Sequence, residues 1–395
     1  MRYAIVIPDG AADVPLSELG GKTPLEAAAK PNMDWVASHG KCGTVRTVPK
    51  GMPCGSDVAM LSVTGYDPAT CYTGRAPLEA AAQGIVVDDG EYVFRCNLVT
   101  VVEGLMQDNT AGHISNEEAR AMVQLLNDKL ADDKVKFYPG VGYRHLMTFK
   151  GKGNARTTPP HDMLGKPVAD HVPHGEGAHA LKVLMAKAEK LLAGSEINVV
   201  RRDLGENPAT GIWLWGQGKM PQLEPFSRRY AVCGAAITAV DLVRGLARLI
   251  GWDVIEVEGA TGYLDTNYAG KGAAAVKALA DHDLAFVHVE ATDEAGHSAD
   301  PKGKVQALEQ IDKHIVGPLL ERLWAEGDDW RILILPDHPT PCTIRTHTGD
   351  PVPFAVAGKR VESVVQAPFT EAVAAKADLH VDPGCELMEY FLTVR

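Results

Sequence analysis

Residues 284–297, LAFVHVEATDEAGH, pass from an apolar run into a carboxylate, Asp293, and an imidazole, His297. A short continuous apolar run marks a strand buried on both faces, as in a parallel sheet covered by helices. The same pattern appears elsewhere. YAIVI at 3–7 leads into Asp9, RILIL at 331–335 leads into Asp337 and His338, and FAVA at 354–357 follows His347. In 304–323, Val305, Leu308, Ile311, Ile315, Leu319 and Leu323 recur close to helical period. Buried strands alternating with amphipathic helices predict an α/β domain with a doubly wound, mostly parallel sheet.

The middle of the chain reads differently. Residues 92–102 and 135–149 predict longer, half-buried strands. Ser115 and Glu118 form a capping box ahead of Ala119, Met122, Val123 and Leu126. A second amphipathic helix is expected over 178–193, and the Gly/Pro-rich stretch 216–225 reads as a linker. The expectation is therefore a split α/β domain, 1–82 and 225–395, interrupted by a smaller inserted α+β domain, 83–224.

Composition narrows the function classes. Hydrophobic residues make up 45% of the 395 and charged residues 23%, ordinary for a globular protein. A net charge of −12 argues against nucleic-acid or anionic-membrane partners, which demand clustered Lys and Arg. The 7 cysteines are dispersed without a C-x-x-C pair, so neither a disulfide framework nor a zinc knuckle fits. The opening MRYAIVIPDG is too short in apolar residues for a signal peptide, and no stretch reaches the ~20 apolar residues of a membrane helix. A cytoplasmic protein is expected. Loose phosphate-loop matches at Gly21-Lys22-Thr23, 175–180 and 151–153 lack the strand–turn–helix context such loops need.

The chemistry gathers at the strand ends. Asp9, Asp293 and Asp337 follow buried strands, whose carboxyl ends share one edge of an α/β sheet, the edge where ligands bind. Carboxylates and imidazoles converging there suit two divalent cations, with Mn²⁺ or Zn²⁺ favoured over Ca²⁺. An isolated Asp after a strand is usually a turn or helix-cap residue, but a set with His297, His338 and His347 is harder to explain that way. In 50–68, Gly55-Ser56 opens an apolar helix, placing a hydroxyl where unpaired backbone N–H groups can hold a phosphate. Read alone, Ser56 is equally a plain helix cap.

With their contexts, Asp9, Ser56, Asp293, His297, Asp337, His338 and His347 resemble the metal-site pattern of the cofactor-independent phosphoglycerate mutases, in the alkaline phosphatase superfamily. The segments ELGGKTPLEAA, PNMDWVA, GSDVAML, GYDP and YTGRAPLEAA look like the shorter, archaeal-type branch, and the likeness spans nearly the whole chain. It implies an alkaline-phosphatase-like fold in which Asp9, Ser56, Asp337 and His338 hold one metal and Asp293, His297 and His347 the other. It also implies two divalent ions, Mn²⁺ foremost with Zn²⁺ or Mg²⁺ as alternatives, and Ser56 as nucleophile. The inserted domain is expected to close over the substrate, with His113 as general acid/base and Arg144 as a substrate cation. Lys271 is expected to reach the nucleophile's phosphate, while Arg156, Arg201, Arg202 and Arg229 read equally well as solvated charges.

The implied activity is interconversion of 3-phosphoglycerate and 2-phosphoglycerate, a glycolytic isomerisation, through a phosphoserine. Two other acceptors remain open at this level: homoserine in a kinase of the same superfamily, and water in a phosphomonoesterase.

Overall fold

The computed structural model describes residues 1–363 and 366–393. Its chain divides into two compact units, Met1–Tyr72 with Gln222–Arg395, and Thr73–Pro221.

The first unit is built on an eight-stranded sheet. Its spatial order is Asp253–Ile255, Gly234–Ile237, Leu284–Val289, Arg2–Pro8, Trp330–Ile334, Val352–Gly358, Lys41–Val45 and His380–Val381. Val352–Gly358 runs antiparallel to both neighbours, and every other pairing is parallel. The apolar runs are buried as their composition demands. Six of the seven residues of Arg2–Pro8 and all of Leu284–Val289 lie inside.

Helices cover both faces. On one, Ala4, Val6, Ala285, Val287, Ile332 and Ile334 pack with residues of Pro31–His39, Tyr268–Asp281 and the helical stretch 301–324. On the other, Tyr3 meets Phe391 edge to face at 5.6 Å and Trp252 lies 5.4 Å from Phe286. The doubly wound expectation is thus the observed architecture.

The helix expected over 304–323 forms in three pieces, Pro301–Ile311, a π-helical turn Asp312–Val316, and Gly317–Trp324. Pro318 causes the break, since it has no N–H to return to the carbonyl of residue 314. The π turn also puts Asp312 at the start of Pro31–His39, where its carboxylate accepts the amides of Asn32 and Met33 at 3.2 and 2.7 Å.

The second unit carries a five-stranded antiparallel sheet centred on Tyr92–Val102, with helices Asn116–Leu130 and Ala178–Ala193 on its apolar face. The Ser115–Glu118 capping box is present in both directions. Three boundaries differ from the sequence reading. The stretch 135–149 is two strands, Val135–Val141 and Arg144–Phe149, turned at Gly142 with φ of +55°. The first three residues of the expected linker belong to the strand Gly211–Gly218, where Gly216 at φ +60° fits a bulge against Val93–Arg95. The helix Arg75–Ala82 belongs to the second unit, because Ala76 and Ala80 pack on Val93 and Leu146 of its sheet.

Candidate active site

Strand termination places most of the polar groups. Asp9 directly follows Arg2–Pro8, and Asp337 lies three residues beyond Trp330–Ile334. Asp293 and His297 occupy Ala291–His297, one helical turn apart and on the same face. Ser56 is the first residue of Ser56–Val63, the position proposed for it from sequence. All lie in the first unit, and all come together.

The site has two halves. In one, Ser56 Oγ is 3.1 Å from His338 Nε2, which lies 3.5 Å from Asp9 Oδ1 and 3.3 Å from Asp337 Oδ2. Asp9, Asp337 and His338 have no exposed surface. In the other, His297 Nε2 and His347 Nε2 approach Asp293 at 3.1 and 3.5 Å, and each other at 2.9 Å. Asp9, Asp293 and His338 form a third cluster that bridges the halves.

Several features suit the site to positive charge. Asp9 Oδ1 and Asp337 Oδ2 are buried carboxylate oxygens without a hydrogen-bond donor, an arrangement that costs several kcal/mol for an uncompensated ion, on the order of 3–5. Burial, reinforced by the charges of Asp337, Glu290 and Asp293, pushes the Asp9 carboxyl well above its ordinary range. In the second half, His297 Nδ1 faces the carbonyl of Arg345 at 3.0 Å and His347 Nδ1 that of Cys54 at 3.3 Å. A carbonyl can only accept, so each Nδ1 carries the hydrogen and each Nε2 turns inward. Two neutral imidazoles would then confront lone pairs at 2.9 Å, a contact that a proton or a metal ion relieves. Burial alone would raise the Asp293 carboxyl, but the His297 and His347 rings, which donate to it through Nε2 when protonated, hold it well below the carboxylate range. The same Asp293 bond lifts His297 to about 9. The Asp/His donor set fits divalent cations of the Mn²⁺ or Zn²⁺ type.

Gly10 makes the close packing possible. At φ +60°, a Cβ there would lie 2.4 Å from Asp293 Oδ1 and 2.5 Å from Thr340 Oγ1. Its own N–H donates to Asp337 Oδ1 at 3.1 Å.

Behind the cluster runs a directed hydrogen-bond chain that the sequence reading passed over. Val240 N–H donates to Thr238 Oγ1, Thr238 pairs with His288 Nδ1 at 3.1 Å, and His288 Nε2 meets Asp9 Oδ2 at 2.7 Å. Burial lowers the His288 pKa to about 3, so the ring is neutral with its hydrogen on Nε2, donated to Asp9. The available signal was a single imidazole inside the otherwise apolar strand LAFVHV.

Lys271, expected at the nucleophile's phosphate, is fully buried, and its Nζ donates to the His288 carbonyl at 3.1 Å. Burial lowers its pKa to about 8, while the Glu290 charge opposes that shift. It therefore stands in the wall behind Asp9, with no surface open to a ligand.

His113 and Arg144 lie in the second unit and are exposed. Arg144 leans over the Tyr143 ring at 5.6 Å. His113 ends a run of three left-handed residues, Ala111 at φ +50°, Gly112 at +68° and His113 at +49°. Non-glycine residues pay ~1–3 kcal/mol each for such a conformation and hold it only when their surroundings dictate it. Here Asp108 accepts from Thr110, the amide of Gly112 and Asn207, and Arg201 donates to the carbonyls of Ala111 and Gly112. Arg201 is therefore no solvated charge: it is 2% exposed and also pairs with Glu118.

The strand-end site on a doubly wound sheet defines an α/β enzyme scaffold with a buried acidic and imidazole centre beside a serine hydroxyl. Comparison with known proteins narrows the class. A family model described as 2,3-bisphosphoglycerate-independent phosphoglycerate mutase matches residues 37–198. A protein of that name from Methanothrix thermoacetophila is 48% identical over 392 residues, covering 99% of this chain and 100% of its own. The solved PH0037 protein of Pyrococcus horikoshii superposes with a TM-score of 0.83 at 31% identity, covering 99% of this chain and 96% of that one. A cofactor-independent phosphoglycerate mutase from Thermoplasma acidophilum follows at TM-score 0.69 and 26% identity, with 99% and 98% covered. The chain belongs to the 2,3-bisphosphoglycerate-independent phosphoglycerate mutase family.

Proposed function

We propose that this protein interconverts 3-phosphoglycerate and 2-phosphoglycerate through a phosphoserine at Ser56, with two divalent cations held by the strand-end site. Asp9, Ser56, Asp337 and His338 are assigned to one cation, and Asp293, His297 and His347 to the other. The carrying observation is the placement of Ser56 Oγ, 3.1 Å from His338 Nε2, beside the donor-less oxygens Asp9 Oδ1 and Asp337 Oδ2. The name shared by full-length relatives supports a glycerate hydroxyl as acceptor over homoserine or water.

Bound cations would lower the pKa of the serine hydroxyl and offset the charge of the transferring phosphoryl group. The chain's own groups supply the rest. Ser56, at a helix start, presents its oxygen at the positive end of the helix, which would favour the phosphoryl oxygens. Ser56 attacks in line, the glycerate leaves and reorients, and its other hydroxyl takes the phosphoryl group back.

The inserted unit is assigned the exclusion of water during that interval, which separates a mutase from a phosphatase. His113 is assigned proton transfer to and from the glycerate hydroxyls, and Arg144 charge pairing with the substrate. The strained loop that holds His113 supports the first assignment.

The test is a product assay on chelated and Mn²⁺-reloaded protein. One arm contains 3-phosphoglycerate, the other homoserine with ATP. Formation of 2-phosphoglycerate, lost on chelation and restored by Mn²⁺, is the expected result. Phosphohomoserine as the faster product would reassign the acceptor, and full activity after chelation would remove the cations from the account.

A further inference from the structure

We propose that Thr340 is a positioning residue that ties the two halves of the site into one unit. It follows the metal-side residues Asp337 and His338 in the segment DHPT, and it is fully buried. Its Oγ1 lies 2.5 Å from Asp293 Oδ1 in one half and 3.2 Å from His338 Nδ1 in the other.

A hydroxyl has one hydrogen, and the direction of both bonds follows from that. An ionised carboxylate can only accept, so Thr340 donates to Asp293. Toward His338 it must then accept, and the ring hydrogen sits on Nδ1. His338 Nε2 is left as a lone pair aimed at the space bounded by Ser56 Oγ, Asp9 Oδ1 and Asp337 Oδ2. One side chain thereby sets the imidazole tautomer in the first half and orients the carboxylate in the second.

The surrounding chain is shaped to hold it there. Lys304 Nζ, itself fully buried, donates to the Thr340 carbonyl at 2.8 Å and to Asp13 at 2.9 Å. Thr340 N–H reaches the carbonyls of Gly10 and Ala12 at 3.2 and 3.3 Å. Glycines stand where a larger residue would expel the threonine. A Cβ on Gly10 would lie 2.5 Å from Thr340 Oγ1, and one on Gly296 would lie 2.4 Å from its carbonyl oxygen.

This inference rests on the two-cation reading, and the experiment separates the two. Mn²⁺ binding to the chelated protein is followed by the electron-paramagnetic-resonance signal of free Mn²⁺, for the wild type, Thr340→Val and Thr340→Ser. The wild type is expected to bind two ions. Thr340→Val, which keeps the shape and removes the hydroxyl, is expected to weaken binding ~10–100-fold, the usual loss when a ligand-orienting partner is removed. Thr340→Ser should restore wild-type affinity. If the wild type binds no Mn²⁺, the two-cation reading fails. If it binds two and Thr340→Val binds as tightly, Thr340 has no positioning role and the inference is overturned. Equal loss in Thr340→Val and Thr340→Ser would also overturn it, because packing rather than the hydroxyl would then be responsible. Should Thr340→Val fail to fold, Thr340→Ala removes the same hydroxyl without placing a methyl group against Asp293 and His338 and is read by the same criteria.

Discussion

The strand-end cluster of the first unit and the His113 loop of the second hold their polar groups in opposite ways. The cluster buries Asp9, Asp337 and His338 completely and leaves oxygens of Asp9 and Asp337 without hydrogen-bond donors. The loop keeps its imidazole exposed and spends its precision on the backbone, where three successive left-handed residues are fixed by Asp108 and Arg201. Burial raises the electrostatic stakes of every contact, which suits groups that must hold concentrated positive charge. Exposure with a fixed backbone suits a group that must exchange protons and meet a ligand that comes and goes. The first kind of site is destroyed by removing an atom, the second is impaired by loosening a turn.

That contrast can be broken at its strongest point first. Ser56→Ala removes the one oxygen on which the covalent route depends, and turnover should fall by ~10⁴-fold or more while Mn²⁺ still binds. Steady-state assays with parallel metal titration read both quantities. Substantial residual turnover would detach the cluster from the chemistry.

The loop should respond less. His113→Ala is expected to slow the overall reaction ~10²–10⁴-fold, yet to leave phosphorylation of Ser56 much less affected, because reprotonation and return of the phosphoryl group fail first. Rapid-quench comparison of phosphoserine formation with 2-phosphoglycerate release distinguishes the steps. Wild-type rates for both would reduce His113 to a helix-start residue.

The smallest effect concerns stability. His145, 2% exposed on Arg144–Phe149, accepts the Gly140 amide through Nδ1, and burial lowers its pKa to about 4 from 6.5. Above pH 6.5 neither the folded nor the unfolded chain protonates it, and its contribution is constant. Between 6.5 and 4 the unfolded chain alone takes up the proton, so stability falls as the pH drops through that window, by at most about 3 kcal/mol. Hydrogen-exchange protection of Tyr92–Val102 and Arg144–Phe149, corrected for intrinsic rates, should decline accordingly in the wild type and more shallowly in His145→Gln. Parallel declines in both proteins would dissociate the effect from this imidazole.

The two sites also differ in how much of each can be read from the chain. Asp9, Asp293 and Asp337 are legible because an unbroken apolar run fixes a buried strand, and the residues just past it must emerge at the sheet's carboxyl edge. His288 meets Asp9, 279 residues away, and Thr340 meets Asp293, 47 residues away, and no local pattern distinguishes either from a satisfied core polar group. The His113 backbone runs against local preference, since Ala and His seldom adopt positive φ, and bonds from Asp108, Thr110 and Arg201 hold it. The hairpin at Gly142 and the placement of Arg75–Ala82 escaped for a related reason. Apolar continuity reports burial, but not where a strand turns or which of two cores a short helix joins.

The central claim is that Ser56 carries the phosphoryl group between the two positions of the glycerate. Its most direct test is to mix Mn²⁺-loaded protein with 3-phosphoglycerate, quench in acid within one turnover, digest, and locate phosphate by mass spectrometry. The account predicts phosphate on the peptide containing Ser56, formed and consumed fast enough to match turnover. Catalytically competent turnover with that peptide unmodified, or with phosphate on another residue, would contradict it.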